Sequence, residues 1–316
     1  MLRVIATGGT IASLADRETG AVRPAVSAED LVASVPGLGD VAVEEVARVN
    51  GWNVTPATML EVARRAASAG GAVVTHGTDT VEETAFLCDV TVEPDVVFAA
   101  AMRSGGEIAA DGPRNLLCAA HVARAAPGMG ATLVLNDEIH AARWARKQDS
   151  SRVSAFVSPG HGPIGTVVPG SVRVTMRPPR RFLVPLPDGL DRPVPVVQTY
   201  TGMEEGLIEA VLDATGAAGL VLEGTGLGNV PGSAERGIRA AIERGLPVVV
   251  ATRVPSGGTG AVYGGPGGGV TLRDLGVIAA GALPAAKARL LLMLLLAAGE
   301  DVRARFAEAV DVLGGW

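Results

Sequence analysis

Short apolar runs alternate with stretches of helical periodicity along the first half of the chain. Runs of this length, bounded by glycine or polar residues, are typical of strands in a sheet. The predicted strands are Val4–Ala6, Val41–Val49, Ala72–Thr75, Val96–Ala100 and Thr132–Leu135. The spacing of apolar residues predicts helices over Val81–Asp89 and over Pro56–Ala69, which has Thr55 as N-cap and ends at Gly70 and Gly71.

The alternation is interrupted once and then resumes. Met176–Pro195 is rich in proline and arginine and has no helical period, so we interpret it as a linker or crossover between domains. The elements predicted beyond it are, in order, strand Val196–Tyr200, helix Glu205–Ala214, strand Gly219–Glu223, helix Ala234–Arg244, strand Pro247–Thr252 and helix Ala285–Ala298.

Repeated strand–helix–strand units favour an α/β fold in two parts. We expect a larger N-terminal domain with a mostly parallel sheet and helices on both faces, and a smaller C-terminal α/β domain. The predicted boundaries are residues 1–180 for the first domain, 181–195 for the proline-rich linker and 196–316 for the second domain. The glycine-rich segment Gly257–Gly269 is predicted to be a mobile loop.

Composition excludes several classes of protein. With 316 residues, 48% of them hydrophobic and 19% charged, the chain can bury a large core and is not intrinsically disordered. A net charge of −6 and only 3% aromatic residues argue against a nucleic acid as the main partner. The two cysteines, Cys88 and Cys118, are too few for a disulfide scaffold, and we expect both to be buried.

Neither the start of the chain nor its most apolar part resembles a targeting segment. Met1–Arg3 precede the first apolar run without a secretion signal, so a cytoplasmic protein is expected, with an already trimmed mature chain as the alternative. Leu290–Ala298 is much shorter than the roughly 20 residues that a bilayer crossing needs, so we interpret it as a buried helix and expect no membrane association.

Motifs for metals, phosphates and serine nucleophiles are missing from the sequence. It contains neither a G-x-S-x-G elbow nor a phosphate-binding loop. The histidines lack paired zinc spacing, and Asp137, Glu138 and His140 are interpreted as hydrogen-bonding residues at a strand end. Glycines 224, 226 and 228 lack the third glycine of a dinucleotide fingerprint, so their turn is expected to line a site or an interface. The sequence thus shows none of these metal, phosphate or dinucleotide motifs.

Two threonine-bearing turns follow predicted strands. One covers residues 6–13 (ATGGTIAS) and the other residues 75–84 (THGTDTVEET). Both put hydroxyl groups at the carboxyl end of a parallel strand, which is where open α/β sheets hold ligands. A threonine at such a place can act as a nucleophile once its proton is removed. The alternative is that Thr10 and Thr78 are ordinary turn or capping residues.

The two turns resemble the two signature segments of the bacterial-type L-asparaginase family, which includes glutaminase-asparaginases. Almost the entire chain shares the resemblance. Further similar stretches are residues 101–103 (AMR), 110–116 (ADGPRNL), 135–137 (LND), 158–165 (SPGHGPIG), 253–257 (RVPSG) and 287–289 (KAR).

The resemblance implies roles for individual residues. Thr10 matches the primary nucleophile, Thr78 and Asp79 match the second segment, and Lys147 lies at the spacing of the lysine that completes a Thr–Asp–Lys group. Lys147 is one of only two lysines in a chain that otherwise uses arginine, which fits a need for an amine that can lose its proton. A solvated surface cation is the alternative. Backbone N–H groups of Thr78 and Ala101 would stabilise the oxyanion, and Asp79 would also bind the substrate α-ammonium.

Three departures from the family pattern concern substrate binding. Gly51 stands where a serine that binds the α-carboxylate is expected, and Trp52 beside it is interpreted either as a wall of the pocket or as a core residue. The loop after Thr10 has no tyrosine. Asn229 matches an asparagine contributed by a neighbouring subunit, although its expected acidic partner near Gly257–Gly269 is missing. The predicted substrate-binding residues are Gly51, Trp52, Thr78, Asp79, Ala101 and Asn229.

The expected function is hydrolysis of L-asparagine to L-aspartate and ammonia through an acyl-enzyme on Thr10. The mechanism implied by the resemblance requires no metal and no organic cofactor. The resemblance further implies a homodimer or homotetramer with active sites near the subunit interface. One alternative is an amidase that prefers glutamine or another small amide. A second is the tRNA-dependent amidotransferase subunit that shares these motifs. That subunit carries an additional N-terminal domain, whereas the first motif here begins near the start of the sequence, and the acidic net charge also argues against this alternative. The third is a non-catalytic amino-acid-binding or sensor protein on the same scaffold.

Overall fold

The chain forms two compact α/β units, as predicted from the alternation of strands and helices. The computed structural model describes residues 1–178 and 181–314, and the units are Met1–Leu186 and Pro187–Trp316. The first contains a large, mostly parallel sheet and the second a smaller parallel sheet, so the predicted fold class is confirmed.

The first unit is built on an eight-stranded sheet with helices and two short ribbons attached. Its strands are β1 (Leu2–Gly8), β2 (Ser13–Ala15), β3 (Val22–Pro24), β4 (Val41–Val49), β5 (Ala72–Thr75), β6 (Val96–Ala99), β7 (Ala131–Leu135), β8 (Glu138–Ala141), β9 (Arg146–Lys147), β10 (Phe156–Val157), β11 (Gly165–Val168) and β12 (Ser171–Val174). Its helices are α1 (Ala28–Ala33), α2 (Pro56–Ser68), α3 (Val81–Thr91) and α4 (Gly112–Ala125).

The strand order in the large sheet is β12-β11-β8-β7-β6-β5-β1-β4. Strands β4, β1, β5, β6 and β7 are parallel neighbours, whereas β8, β11 and β12 extend the sheet in antiparallel fashion. The chain passes from β1 to β4 on one side and then to β5 on the other, so the order reverses at β1. A reversal of this kind opens a crevice beyond the carboxyl ends of the strands, where ligands bind in open α/β sheets.

Local sequence explains the elements that surround this crevice. The central strands β5, β6 and β7 are buried along their whole length, as continuous apolar runs in a parallel sheet require. The side chain of Thr55 accepts a hydrogen bond from the Thr58 amide, which makes it the predicted N-cap of α2. Cys88 and Cys118 are buried in α3 and α4, as expected.

The prediction missed α4 and the antiparallel strands β8, β11 and β12. Helix α4 begins with Gly112 and Pro113, a pair that is typical of turns, and its Pro occupies the first helical turn where the missing N–H costs nothing. The antiparallel strands span only four residues each and gain their order from pairing with one another. A strand of four residues is too short to show a clear alternation of apolar and polar residues in the sequence.

The second unit has a four-stranded parallel sheet in the order β13-β14-β15-β16. The strands are β13 (Val196–Gln198), β14 (Leu220–Gly224), β15 (Val248–Thr252) and β16 (Ile278–Ala279), and the helices are α5 (Leu207–Thr215), α6 (Glu235–Glu243), α7 (Gly269–Leu275), α8 (Ala285–Ala298) and α9 (Val302–Gly314). Helix α8 has the predicted bounds and is buried. Within the described residues no helix combines the length and apolarity needed to cross a membrane.

The predicted linker is hydrogen-bonded at both ends to the unit beside it. Val184 donates its amide to the Val90 carbonyl at 2.8 Å, and the Pro193 carbonyl accepts the Ala218 amide at 2.8 Å. The division between the units, after residue 186, falls inside the predicted segment 181–195. Residues 179 and 180, where the first domain was predicted to end, lie outside the described residues.

The glycine-rich segment predicted to be a mobile loop is irregular but attached at several points. The Thr259 amide donates to the Gly281 carbonyl at 3.0 Å, and the Gly260 amide donates to the Leu227 carbonyl at 2.9 Å. At its end, Gly269 begins helix α7. These bonds fix the segment to the strand-end turns of the second unit.

Candidate active site

Three glycines bring three strand-end turns into direct backbone contact. A Cβ placed on Gly9 would lie 2.2 Å from the Gly77 Cα, and one on Gly77 would lie 2.8 Å from the Gly51 Cα. Distances this short leave no room for a side chain at either position. The turns that follow β1, β4 and β5 therefore meet at the reversal of strand order, and the contact sets Thr10 and Thr78, which follow Gly9 and Gly77, on adjoining turns.

The first turn holds Thr10 in a defined place. Gly9 has φ +79° and ψ −176°, and Thr10 begins a 3-10 turn that ends at Ala12. The Gly9 amide donates to the Val49 carbonyl at 2.9 Å, and the Ser13 hydroxyl donates to the Gly9 carbonyl at 2.8 Å. A residue with a side chain rarely adopts that positive φ, so both conformation and contact require glycine before Thr10.

Thr78, Asp79 and Lys147 form a hydrogen-bonded cluster across 68 positions of sequence. The Lys147 Nζ donates to the Thr78 Oγ1 at 2.9 Å and to the Asp79 Oδ1 at 2.7 Å. Thr78 is only 5% exposed, whereas the side chain of Lys147 is 19% and that of Asp79 43% exposed. One side of the cluster is thus buried and the other faces solvent, as a site that binds a small molecule requires.

A shallow cavity of about 400 Å³ adjoins this cluster. Its lining is polar and consists of Asp79, Glu82, Lys147, Gln148, Asp149 and Ser150. Hydrogen bonds from the backbone amides of Arg152 and Ser151 lower the pKa of Asp149 below its usual value. The lowered pKa favours the ionised form of the Asp149 carboxylate, which lines the same cavity as Lys147.

His76 supports the second turn from inside the core. Its Nδ1 lies 2.9 Å from the Gly77 carbonyl oxygen, which can only accept, so Nδ1 carries the proton and Nε2 accepts from the Thr84 hydroxyl at 2.9 Å. Burial lowers the pKa of His76 to about 4, so the imidazole is neutral at pH 7. It is a fixed hydrogen-bonding element of the turn that carries Thr78.

Ala101 lies in the next turn, after β6, and is fully buried. The Asp111 carboxylate accepts the amides of Met102 at 3.0 Å and Arg103 at 2.9 Å. The Asn115 side chain donates to the Ala100 carbonyl at 2.9 Å. These bonds anchor the backbone around Ala101 at the same edge of the sheet as Thr10 and Thr78.

The remaining predicted binding residues are found in three different settings. Gly51 follows β4, and its carbonyl accepts the Thr80 hydroxyl at 2.7 Å. Trp52 is 65% exposed, so it is not a core residue. Asn229 belongs to the second unit, where its Oδ1 accepts the Gly269 amide at 3.1 Å.

The acidic residues around His140 act as hydrogen-bonding groups in the structure. His140 is buried, with Nδ1 3.0 Å from the Ser158 hydroxyl and Nε2 3.2 Å from the Glu138 carboxylate. Asp137 instead accepts from Arg114 at 2.9 Å. Among residues 1–178 and 181–314, no three His, Cys, Asp or Glu side chains are grouped so that they could hold a metal ion.

Comparison with known families decides what kind of protein carries this site. A family model described as "Asparaginase, N-terminal" matches residues 1–180, and one described as "Glutaminase/Asparaginase C-terminal domain" matches residues 193–306. The chain belongs to the asparaginase family. The family predicted from the two threonine turns is therefore confirmed, and so is the predicted enzyme class, an asparaginase-type hydrolase.

Individual relatives are similar to the chain over nearly its full length. A probable L-asparaginase of Deinococcus radiodurans is 39% identical over 98% of both chains. L-asparaginase 2 of Bacillus subtilis is 35% identical over 97% of this chain and 86% of that protein. The crystal structure of a probable cytoplasmic L-asparaginase from Campylobacter jejuni superposes with a TM-score of 0.86 at 30% identity, covering 97% of this chain and 98% of the other.

Two residues of the second threonine turn, His76 and Glu82, make contacts in this asparaginase-family site that the sequence did not predict. His76 fixes the Gly77 carbonyl, and Glu82 accepts a hydrogen bond from the Lys147 backbone amide. Their position within the second threonine turn is the only sequence signal for either. Their partners could not be predicted from the sequence, because both partners are backbone groups, which every residue type has.

Proposed function

We propose that this hydrolase cleaves the side-chain amide of L-asparagine with Thr10 as nucleophile. The observation that carries the proposal is the placement of the Lys147 amine on both Thr78 and Asp79, at 2.9 and 2.7 Å. The packing of Gly9 on Gly77 joins this cluster to the turn that carries Thr10. A half-buried threonine on a turn packed against the turn of a hydroxyl–amine–carboxylate group is an arrangement suited to acyl transfer.

The reaction proceeds in two halves. The Thr10 hydroxyl oxygen bonds to the carboxamide carbon, and its proton passes through a base to the amide nitrogen as the tetrahedral intermediate forms and collapses. The C–N bond then breaks, ammonia leaves with the proton that its nitrogen gains, and an aspartyl ester remains on Thr10. Water attacks that ester, and cleavage of the bond to Thr10 restores its hydroxyl and releases L-aspartate.

Backbone amides serve as donors to the oxyanion. The proposed donors are the N–H groups of Thr78 and Ala101, which belong to neighbouring turns at one edge of the sheet. Each donor in a preorganised site of this kind is worth about 3 kcal/mol of barrier. The hydrogen bond from His76 to the Gly77 carbonyl supports this role, because the carbonyl shares a rigid peptide plane with the Thr78 amide.

Lys147 exchanges a proton with the Thr78 hydroxyl in this scheme. The 2.9 Å distance between Nζ and Oγ1 permits direct transfer, and the Asp79 carboxylate holds the amine in place. Lysine can lose its proton, whereas the guanidinium group of arginine keeps its proton at any pH relevant to a protein. A lysine is therefore required here.

The ends of the substrate are held by the surrounding turns. Asp79 is 43% exposed and pairs with the α-ammonium group, Gly51 offers its backbone N–H to the α-carboxylate, and the exposed Trp52 indole forms a wall. We further propose that the protein is cytoplasmic and forms a homodimer or homotetramer in which Asn229 completes a neighbouring subunit's site. The exposed apolar side chains of Val262 and Tyr263 support such an interface.

An amidase that prefers glutamine or another small amide is the second candidate. The observation that favours it is the close packing around Gly51, where a Cβ would lie 3.3 Å from the Gly77 carbonyl carbon. A serine at position 51 would fit only if the backbone of the neighbouring turn moved slightly. The α-carboxylate of the substrate therefore has no serine hydroxyl to bind here, unlike in the family pattern. The name of the matched C-terminal family also includes glutaminase.

An ammonia-coupled assay over L-asparagine, L-glutamine and D-asparagine tests the proposal. We expect the highest kcat/KM with L-asparagine. Faster release from glutamine would support the second candidate, and no release from any amide would contradict both. In that last case, thermal stabilisation by asparagine or aspartate without ammonia would identify a binding protein.

A further inference from the structure

Helix α3 carries two carboxylates that both reach the segment containing Lys147. The helix follows directly on Asp79 and Thr80, and Glu82 and Asp89 lie seven residues apart along it. Residues at that spacing lie two turns apart on one side of a helix. A single rigid element therefore presents two acceptors to one neighbouring segment.

Glu82 holds the main chain of Lys147. Its Oε2 accepts the Lys147 backbone amide at 2.5 Å, a short, charge-assisted hydrogen bond. The same lysine donates its Nζ to Thr78 and Asp79. Both ends of Lys147 are thus bound by residues 78–82, so the position of the amine relative to the Thr78 hydroxyl is set by one short stretch of chain.

Asp89 anchors the same segment nearer its start. The Arg143 Nε donates to the Asp89 Oδ2 at 2.9 Å, and both side chains are 1% exposed. The Ala131 amide also donates to Asp89, at 3.2 Å. Arg143 lies four residues before Lys147, so the chain is fixed in the core just before it reaches the site.

The secondary structure around Lys147 is a small ribbon. The lysine belongs to β9, which has two residues and pairs with the two residues of β10, Lys147 opposite Phe156. A two-stranded ribbon of this size has little stability of its own. The ribbon is also bonded at the next residue, where the Gln148 amide donates to the Ala155 carbonyl at 2.8 Å. The contact with Glu82 therefore acts together with this small ribbon in placing the lysine amine.

We propose that Glu82 is a positioning residue for the reaction, acting through the Lys147 backbone. The inference rests on the proposed role of Lys147, and it assigns Glu82 no contact with the substrate. Since the contact needs only an oxygen that accepts an N–H, a glutamine amide oxygen at this position can replace the carboxylate in part.

Steady-state kinetics of Glu82→Ala and Glu82→Gln test the role. Loss of the contact lets β9 shift, and a misplaced catalytic group costs about 10- to 100-fold in rate. We expect Glu82→Ala to lose kcat in that range, with KM changed by no more than about 2-fold, and Glu82→Gln to recover most of the loss. Glu93→Ala is the matched control, since it removes an exposed glutamate just beyond the other end of α3.

Hydrogen exchange provides a readout that does not depend on the substrate. In Glu82→Ala the peptide containing Lys147 should exchange faster, with the midpoint of thermal unfolding close to that of Glu93→Ala. A kcat of Glu82→Ala within 2-fold of wild type would overturn the proposal. So would equal losses in the Gln and Ala variants, or a loss accompanied by global unfolding.

Wild type and Lys147→Met in the same assay distinguish a failure of the proposed function from a failure of the proposed role of Glu82. A wild type that releases no ammonia from asparagine would refute the proposed substrate. Active wild type, impaired Lys147→Met and unimpaired Glu82→Ala would refute only the role of Glu82.

Discussion

Both units of the chain place glycine-bearing turns at the carboxyl ends of parallel strands, but the turns use their polar groups differently. In the first unit, the side chains of Thr78, Asp79 and Lys147 bond to one another, and two of them are reached by solvent. Backbone contacts between Gly9 and Gly77 bring these turns together and leave the side chains available for a ligand.

In the second unit, the corresponding polar groups are used by the backbone. The Thr225 amide and hydroxyl both donate to the Asn229 carbonyl, at 2.8 and 3.1 Å. The Thr252 hydroxyl donates to the Gly226 carbonyl at 2.6 Å, and the Asn229 side chain accepts the Gly269 amide. Glycine and threonine at a strand end therefore predict a tight turn in both cases, and the turns of the first unit differ by the contacts among their polar side chains.

The largest effect should come from Thr10. Thr10→Ala removes the proposed nucleophile, so we expect kcat for asparagine to fall by about 10³-fold or more while the thermal midpoint stays near that of wild type. Ammonia release and thermal unfolding are the measurements. Thr215→Ala, an exposed threonine at the end of α5, should keep full activity. Turnover close to wild type in Thr10→Ala would contradict the proposal that the turns of the first unit carry the nucleophile.

Replacement of Lys147 should have the next largest effect. Lys147→Met removes the amine that contacts Thr78 and Asp79, and we expect about a 100-fold or larger loss of kcat, the usual contribution of a positioned proton-transfer group. Lys147→Arg keeps the charge but cannot release a proton, so it should not restore the rate. An active arginine variant would show that position 147 supplies charge alone.

Much of the fold and part of the site could be predicted from the sequence. The predicted bounds of strands β4 and β5 and of helix α8 agree with the structure. Thr10, Thr78, Asp79 and Lys147 were selected by resemblance, since spacing alone left open whether the threonines were turn residues and the lysine a surface cation.

The interactions that define the site could not be predicted, for a physical reason. The contact of Gly9 with Gly77 and the bond from the Lys147 amide to Glu82 both involve backbone atoms. Such contacts depend on how distant segments meet in three dimensions. The exposure of Trp52 follows from the same long-range packing, which is why the sequence favoured neither of its two interpretations.

A smaller effect, on the free energy of unfolding, is expected when one glycine of each unit is replaced by alanine. Ala at Gly9 would meet the Gly77 Cα at 2.2 Å, whereas Ala at Gly226, also at positive φ, would come no closer than 3.8 Å to the Asn229 side chain. We expect Gly226→Ala to cost about 1–2 kcal/mol of the free energy of unfolding, the usual cost of a left-handed residue. Gly9→Ala should cost more, because backbone must move. Denaturant unfolding compares them, and equal costs would show that the contact at Gly9 is not specific.

A comparison of similar size concerns pH and the first unit, which contains all four histidines. Because burial lowers the pKa of His76 to about 4 from an ordinary 6.5, the unfolded chain binds a proton that the folded chain does not between those pH values. Stability contributed by the neutral ring is complete above pH 6.5 and falls by about 1.4 kcal/mol per pH unit as pH drops toward 4. His76→Gln should show a shallower fall than wild type in denaturant titrations at pH 7 and pH 5. Parallel curves would contradict the buried, neutral state of His76.

The most direct test of the central claim is to trap and locate the acyl-enzyme. Enzyme mixed with L-asparagine is quenched in acid, digested, and searched by mass spectrometry for an aspartyl ester, with Thr10→Ala as control. Our account predicts the ester on Thr10 in wild type and no ester in the variant. An ester on Thr78, or unchanged labelling when Thr10 is replaced, would contradict it.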